Sequence, residues 1–419
     1  MCILSCKICV YVNLCLDIAT QKYYDIGMEK LLLIKNVCPL VEGNLLSQCD
    51  ILIKGNKIAS IMPQGAEVEG AEVLEGNGDI IAAGYIDIHT HGGYGHDMME
   101  ATEEALDKIS TFHLDNGITT YIPTTLTASI PDTRKALDAL LHYNRKDVAR
   151  RYGAHLEGPY LSRKAAGAHP PHLLLSPDEE NSQFIRDYNC VVSRITMAPD
   201  ISGVPWCTAM CVENGIQVSL GHDQSIDDEI DAAIEAGATS VTHLYNCTSR
   251  PSRRENPKKH LGLTELGLIY DDITCEVIAD NRHVPNRLFG MIYKLKGADR
   301  IALVSDSLSV AGMSEGEYFL GSGESKQHIR IEDGVATLPS ENTYAGSITP
   351  ISKMVTNLYA SLDISAADCI RMATLTPAKL MNMTDRGDIK EGYLADLNIL
   401  DEHLTIKKTI LDGEVVREH

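Results

Sequence analysis

Eight short apolar runs recur through the middle of this 419-residue chain and alternate with stretches of helical pattern. Such an alternation predicts parallel βα units, because parallel neighbouring strands need a long crossover connection. Eight units predict an α/β fold of the TIM type, a closed (β/α)8 barrel with its active site at the carboxyl ends of the strands. The candidate strands lie near residues 85–89, 118–122, 152–157, 193–197, 217–220, 239–243, 273–278 and 300–305.

Two of these units carry clear helix signals. Ser225 can cap a helix with Ile230 on its apolar face, and Gly237 can end that helix before the next strand. A second helix is expected over residues 103–115, where Gly117 stops it. Both helices precede a β-rich apolar run, as a barrel requires.

Both ends of the chain have a different sequence pattern, which predicts short alternating strands joined by polar turns. We expect residues 28–82 and 385–419 to pair in one small β-sandwich, with the barrel occupying residues 83–384. Residues 1–27 lack a basic region and a cleavage site, so they are interpreted as an extension without chemistry, not as a signal peptide; a genuine short anchor or docking segment is the alternative. Cys6 and Cys9 form a lone CxxC, which without a second pair is a weak zinc signal.

The net charge of −21 argues against a nucleic-acid or anionic-membrane partner and favours a small-molecule substrate. An anionic substrate would then need a few local cations. No apolar run reaches the length of a membrane span. The twelve cysteines are scattered and follow no export signal, which predicts reduced thiols and a cytoplasmic protein.

The first apolar run ends in His89 and His91, whose side chains share one side of an extended strand. An HxH pair alone also fits ordinary strand-end histidines. Other runs, however, end in metal-competent side chains as well: Glu157, His222, His243 and Asp306. This recurrence predicts a site for one or two divalent ions, and its nitrogen and oxygen ligands admit zinc, iron, manganese or cobalt. Such an ion lowers the pKa of bound water to about 7, which suits hydrolysis of an unactivated amide.

Several long motifs resemble those of the N-acetylglucosamine-6-phosphate deacetylases in the amidohydrolase superfamily. The likeness runs from Met28 to the C-terminus. The motifs are His89-Thr-His-Gly-Gly-Tyr-Gly-His-Asp97, His155-Leu-Glu-Gly-Pro-Tyr160, Gly167-Ala-His-Pro-Pro171, Gly221-His222, Thr242-His-Leu-Tyr-Asn246, Ile278-Ala-Asp-Asn-Arg-His283, Ser305-Asp306-Ser307 and Ala345-Gly-Ser347.

The resemblance implies that Glu157, His222 and His243 hold the principal metal. His89 and His91 would hold a second ion, as in the relatives that keep this pair. Because some relatives have lost the pair, a one-metal enzyme stays open.

The resemblance also implies catalytic roles for two further residues. Asp306 matches the aspartate that activates the attacking water and passes its proton to the departing amine. His169 matches a histidine that hydrogen-bonds the acetyl carbonyl in the transition state.

Substrate binding is implied for four positions. Asn246 and the backbone around Cys247 match positions that hold the sugar phosphate, and Arg254 and His283 match the phosphate-contacting arginine and histidine. In the family this arginine comes from a second subunit, which implies a homodimer. Its paired donors suit phosphate oxygens.

The chain departs from the family pattern at Cys247-Thr248, Arg254-Glu-Asn-Pro, Asn281 and Ser307, which leaves the preferred sugar open. N-acetylgalactosamine 6-phosphate is the nearest alternative substrate. A ring-amide hydrolase is less favoured, because the fourth strand lacks the bridging lysine of that class. An inactive scaffold is the alternative from another class, although every expected ligand is present.

Overall fold

The computed structural model describes residues 30–253, 257–320, 327–339 and 343–419. Eight parallel strands form a barrel and confirm the predicted (β/α)8 fold. Asp306 N donates to His89 O at 2.9 Å and His91 N donates to Ser307 O at 3.0 Å, which joins the eighth strand's end to the first. In chain order, the barrel strands are Tyr85–Thr90, Ile118–Thr125, Ala154–Glu157, Val192–Met197, Gln217–Leu220, Ser240–Val241, Thr274–Val277 and Ile301–Leu303.

The α-helices of the described residues are Glu103–Asp115, Ile130–His142, Gln183–Asp187, Val204–Glu213, Asp227–Glu235, Leu263–Ile269, Asn286–Lys296, Ile351–Ser361, Ala366–Arg371 and Leu375–Leu380. The helix predicted over residues 103–115 has those bounds. Ser225 as a cap was wrong, because its backbone N–H donates to Asp223 and Ile226 occupies the N-cap position. The N–H of Ile226 donates to Glu229 at 2.9 Å and so satisfies this helix end.

The helices bury their apolar faces against the barrel. Leu106 and Ile109 of the first helix and Leu137 and Leu140 of the second are fully buried. Burial of each such side chain stabilises the fold by roughly 1.5–3 kcal/mol relative to exposure. The resulting core fixes the strand ends, and with them the groups that follow the strands.

Strands from both ends of the chain form one additional sheet, as predicted for the small sandwich. Its long strand Leu31–Val41 has an irregularity between Ile34 and Val37, so its two halves pair with different neighbours around one apolar core. The C-terminal part joins through Leu397, which pairs with Ala83. The other strands are Asn44–Leu45, Cys49–Lys54, Lys57–Pro63, Glu72–Glu75, Ile80–Ala83, Leu397–Leu400, Ile406–Leu411 and Glu414–Glu418. The domain boundaries stay predictions, and residues 1–27 lie outside the described part.

A four-stranded antiparallel sheet follows the eighth barrel strand and was not predicted. Its strands are Gly316–Leu320, Gln327–Glu332, Val335–Leu338 and Thr343–Gly346. It packs around Ile329 and Ile331, and a bridge between Ser307 and Ser347 ties it to the carboxyl end of the barrel. A short strand pair, Gly92–Gly93 with His96–Asp97, lies at the same end. No helix among the described residues is long and apolar enough to cross a bilayer.

Candidate metal centre

The carboxyl ends of the first, third and eighth barrel strands bring His89, His91, Glu157 and Asp306 together. His91 Nε2 lies 3.1 Å from Glu157 Oε2 and 3.3 Å from Asp306 Oδ1. His89 Nε2 lies 3.4 Å from Glu157 Oε1 and 3.5 Å from Asp306 Oδ1. Both imidazoles are buried and aimed at the same carboxylates. We call this group the His89/His91 side of the centre.

His222 and His243 follow the fifth and sixth strands and also reach Glu157. Their Nε2 atoms lie 3.0 Å apart, and each is 3.1 Å from Glu157 Oε1. We call this group the His222/His243 side. Glu157 Oε1 faces His222 and His243 and also lies 3.4 Å from His89 Nε2, while Oε2 faces His91, so one carboxylate belongs to both sides.

These donor sets fit a divalent ion. Ligands about 2.0–2.1 Å from a tetrahedral ion are about 3.3 Å apart, close to the 3.0–3.1 Å spacing of the three atoms on the His222/His243 side. Two imidazole nitrogens facing each other can share only one proton. On the other side, the buried His89 Nε2 has no hydrogen-bond partner among the described residues. His89, His91 and Glu157 form a three-ligand group, and so do Glu157, His169 and His222.

Hydrogen bonds on the far ring nitrogens aim two of these histidines. His222 Nδ1 lies 2.8 Å from Ala165 O, and His89 Nδ1 lies 3.1 Å from Glu276 Oε2. A carbonyl and a carboxylate accept hydrogen bonds, so both Nδ1 atoms act as donors. Each Nε2 therefore presents its lone pair to the centre.

His169 has the opposite arrangement. The backbone N–H of Thr127 donates to His169 Nδ1 at 3.1 Å, so that nitrogen is an acceptor. In neutral His169 the proton then resides on Nε2, which lies 3.3 Å from Glu157 Oε2. Burial lowers the pKa of His169 to about 4, although Glu157 acts to raise it. The ring is therefore neutral near pH 7. His169 can thus offer an N–H donor to a group at the centre.

The carboxylates of the centre are held ionised. Burial alone would raise the pKa of Glu157, but His89 and His169 lower it well below its usual range. Burial likewise raises the pKa of Asp306, but the neighbouring His89, His91 and His243 lower it more, so the pKa of Asp306 also lies below its usual range. Ionised carboxylates are the form that binds a cation or accepts a proton.

Three of the centre's residues have a left-handed backbone. The φ angles are +50° at His222, +28° at His243 and +45° at Asp306. A side chain in this region costs about 1–3 kcal/mol unless the surroundings compensate. All three follow barrel strands, where the chain turns sharply and points the side chain inward.

Those candidate substrate residues that the structure describes lie at the edge of this centre. Asn246 donates through its side-chain amide to His243 O at 3.3 Å. His283 Nδ1 lies 2.7 Å from Asp280 Oδ2, and its ring centroid is 5.3 Å from that of Tyr344 in the inserted sheet. Arg254 lies outside the described residues.

Cys247 also lies at this edge of the centre. A β-carbon at Gly167 would come 3.2 Å from Cys247 Sγ and 3.3 Å from His222 Cε1. The thiol therefore lies against the loop that carries His169. Its side chain is partly open to solvent.

The structure adds three residues that the sequence analysis did not single out: Thr127, Arg194 and Glu276. For Thr127 no sequence signal exists, because its backbone N–H and its hydroxyl meet His169, 42 residues further along the chain, only in the folded protein. Arg194 and Glu276 did leave a signal, since each is a charged residue inside an apolar strand run. Such residues face the barrel interior and need a partner there.

Comparison with known proteins gives one consistent family. The model of the amidohydrolase family matches residues 80–416. An N-acetylglucosamine-6-phosphate deacetylase from Lysinibacillus sphaericus is 32% identical, with 92% of this chain and 97% of the relative aligned. An N-acetylgalactosamine-6-phosphate deacetylase from Escherichia coli O157:H7 is 28% identical over 90% of this chain and 97% of its own.

Solved structures give the same result. The crystal structure of N-acetylglucosamine-6-phosphate deacetylase from Pasteurella multocida has a TM-score of 0.84 at 26% identity and covers 93% of this chain and 100% of its own. A mutant of the deacetylase from Mycobacterium smegmatis, in complex with N-acetyl-D-glucosamine-6-phosphate, has a TM-score of 0.82 at 27% identity with the same coverage.

Proposed function

The chain belongs to the amidohydrolase family, and on this premise we propose that it hydrolyses N-acetyl-D-glucosamine 6-phosphate to D-glucosamine 6-phosphate and acetate. The observation that carries the proposal is the convergence of Asp306 and His169 on the cluster around Glu157. Amide hydrolysis needs a proton acceptor and an oxyanion donor at one point, and the two residues supply them. The deacetylase relatives support the substrate.

We assign the principal metal to Glu157, His222 and His243, and a second ion to His89 and His91. A divalent ion there supplies Lewis acidity and brings the pKa of bound water to about 7. The chain contributes the ring orientations and the ionised carboxylates described above. The ion's identity among zinc, iron, manganese and cobalt is left open by the ligand types.

Asp306 acts as the general base and then as the general acid. Its Oδ1 lies 3.3 Å from His91 Nε2 and 3.5 Å from His89 Nε2, which supports a place beside a water held at this centre. The lowered pKa keeps it ionised and ready to accept the water's proton. It then returns that proton to the nitrogen of the leaving amine, which departs poorly as an anion.

His169 stabilises the developing oxyanion. Thr127 fixes the neutral ring with its proton on Nε2, the atom facing Glu157. This N–H donor is set in place before the reaction, so little reorganisation is needed when the carbonyl oxygen gains charge.

We assign the sugar phosphate to Asn246, the backbone around Cys247, His283 and Arg254. Burial opposes a charged ring at His283, but Asp280 orients the ring and raises the pKa of His283 above its usual value. A cationic ring is thereby favoured beside an anionic substrate. Arg254 is proposed to reach this site from the partner subunit of a homodimer. The described cysteines are free thiols, which suits the proposed cytoplasmic location.

N-acetylgalactosamine 6-phosphate is the second candidate substrate, because relatives named for that sugar match over a similar length. The test is acetate release from both sugar phosphates by protein loaded with each of the four metals. We expect a higher kcat/KM for the glucosamine compound. Preference for the galactosamine compound would move the assignment to the alternative, and no release from either would reject both.

A further inference from the structure

Two charged side chains lie below the centre in the barrel interior. Arg194, on the fourth strand, and Glu276, on the seventh, are both fully buried and form an ion pair. Arg194 also contacts Ile88 O at 3.5 Å and donates to Ser240 Oγ at 3.3 Å. Barrel interiors are normally filled by branched apolar side chains. Burying two charges here costs desolvation free energy, which suggests that the pair has a role other than stabilising the fold.

The second carboxylate oxygen of Glu276 links this pair to the centre. Glu276 Oε2 lies 3.1 Å from His89 Nδ1, while Oε1 faces Arg194. Arg194 therefore sets the plane of the carboxylate and offsets its charge, and the carboxylate sets the plane of the imidazole. The lone pair of His89 Nε2 points between Glu157 and Asp306 as a result.

The other histidine of this side, His91, has no comparable hydrogen bond on its far ring nitrogen within the described part of the chain. Its Nδ1 is buried and has no hydrogen-bond partner among the described residues. The pair of His89 and His91 thus has one ring fixed on its far side, and Glu276 is what fixes it. We propose that Glu276 and Arg194 are positioning residues that decide whether the His89/His91 side binds an ion. This inference rests on the two-ion form of the proposed function.

The test is metal binding, measured apart from activity. Metal-stripped protein is titrated with Zn²⁺, and each dissociation constant is obtained by competition with a chelator. We expect wild type to bind two equivalents. Glu276→Gln should weaken one of them about tenfold to a hundredfold, the usual effect of losing a partner behind a metal ligand, and leave the other unchanged.

Three further variants make the result specific. His89→Gln should weaken the same equivalent, and adding Glu276→Gln to it should weaken that equivalent little further, because both act through one ring. Arg194→Met with Glu276→Gln removes both charges of the pair. The expected loss of zinc affinity can therefore be measured in this double variant even if the single variant folds poorly. Asp396→Asn is the matched control. It breaks the Arg150–Asp396 pair, whose atoms are 2.8 Å apart and which lies away from the centre, and should leave both equivalents unchanged.

Unchanged zinc affinities in Glu276→Gln and in the double variant would overturn the inference, as would a single equivalent in wild type. So would equal weakening of both equivalents or weakening by Asp396→Asn, since either indicates general damage. None of these results touches the proposed hydrolysis, which one ion can support. The proposed function fails only if metal-loaded wild type releases no acetate.

Discussion

The two sides of the metal centre share Glu157 but are supported in different ways. On the His222/His243 side, the far nitrogen of His222 donates to the backbone carbonyl of Ala165, which no side-chain substitution removes. On the His89/His91 side, the matching role falls to the Glu276 side chain, which itself pairs with Arg194. The second histidine of each side, His243 or His91, has a buried Nδ1 without a hydrogen-bond partner among the described residues, so the difference lies in how His222 and His89 are supported. The support of His89 depends on two further side chains, so one substitution behind the ligands is enough to weaken the His89/His91 side.

The largest effect should come from Glu157→Gln, which damages both sides at once. Glutamine keeps the shape but lacks the negative charge that faces five histidines, so metal should be lost from both sides and activity should fall further than with any variant below. Elemental analysis beside wild type is the measurement. Equal metal content in the two proteins would remove Glu157 from the ligand set.

Asp306→Asn should damage the reaction while sparing the His222/His243 side. The amide cannot take up the water's proton, and general acid–base help is worth about 10²–10⁴-fold. We therefore expect kcat to fall at least about a hundredfold while the fold and most metal remain. If kcat stays within a few-fold of wild type, the proton goes to another group, and His169 is the next to test.

Arg254→Ala should leave metal binding on both sides of the centre unchanged. Losing a charged donor to phosphate should raise KM by about tenfold to a hundredfold while metal content stays constant. Mixing this variant with Glu157→Gln tests the shared-site arrangement, because a heterodimer then has one intact metal centre facing one intact arginine. Recovered activity is expected. Its absence, with subunit exchange demonstrated, would place Arg254 in its own subunit's site or outside the site.

Local patterns carried most of the fold prediction. The eight apolar runs have the length and spacing of barrel strands, and strong stop signals such as Gly117 fixed the helix before the second strand. The inserted antiparallel sheet was missed because its strands are short and half polar, and because they pair only with one another. Pairing between such strands depends on contacts that no local periodicity contains.

The candidate site likewise has a part that the sequence predicts and a part that it does not. His89, His91 and Glu157 could be identified because they end strands, and the barrel brings all strand ends to one place. The support of the site could not, since Thr127 meets His169 and Glu276 meets Arg194 only when distant parts of the chain fold together. Ser225 shows a further limit: its backbone N–H donates to Asp223 and its hydroxyl to Asp200, partners that the local capping pattern does not contain.

The left-handed backbone at His222, His243 and Asp306 has an evolutionary consequence. Glycine or asparagine fits such angles more easily, so replacing a ligand there relieves about 1–3 kcal/mol of strain at the moment that function is lost. Mutation would therefore drift toward a more stable, inactive protein if nothing opposed it. The three side chains therefore cost the fold stability that only the reaction requires.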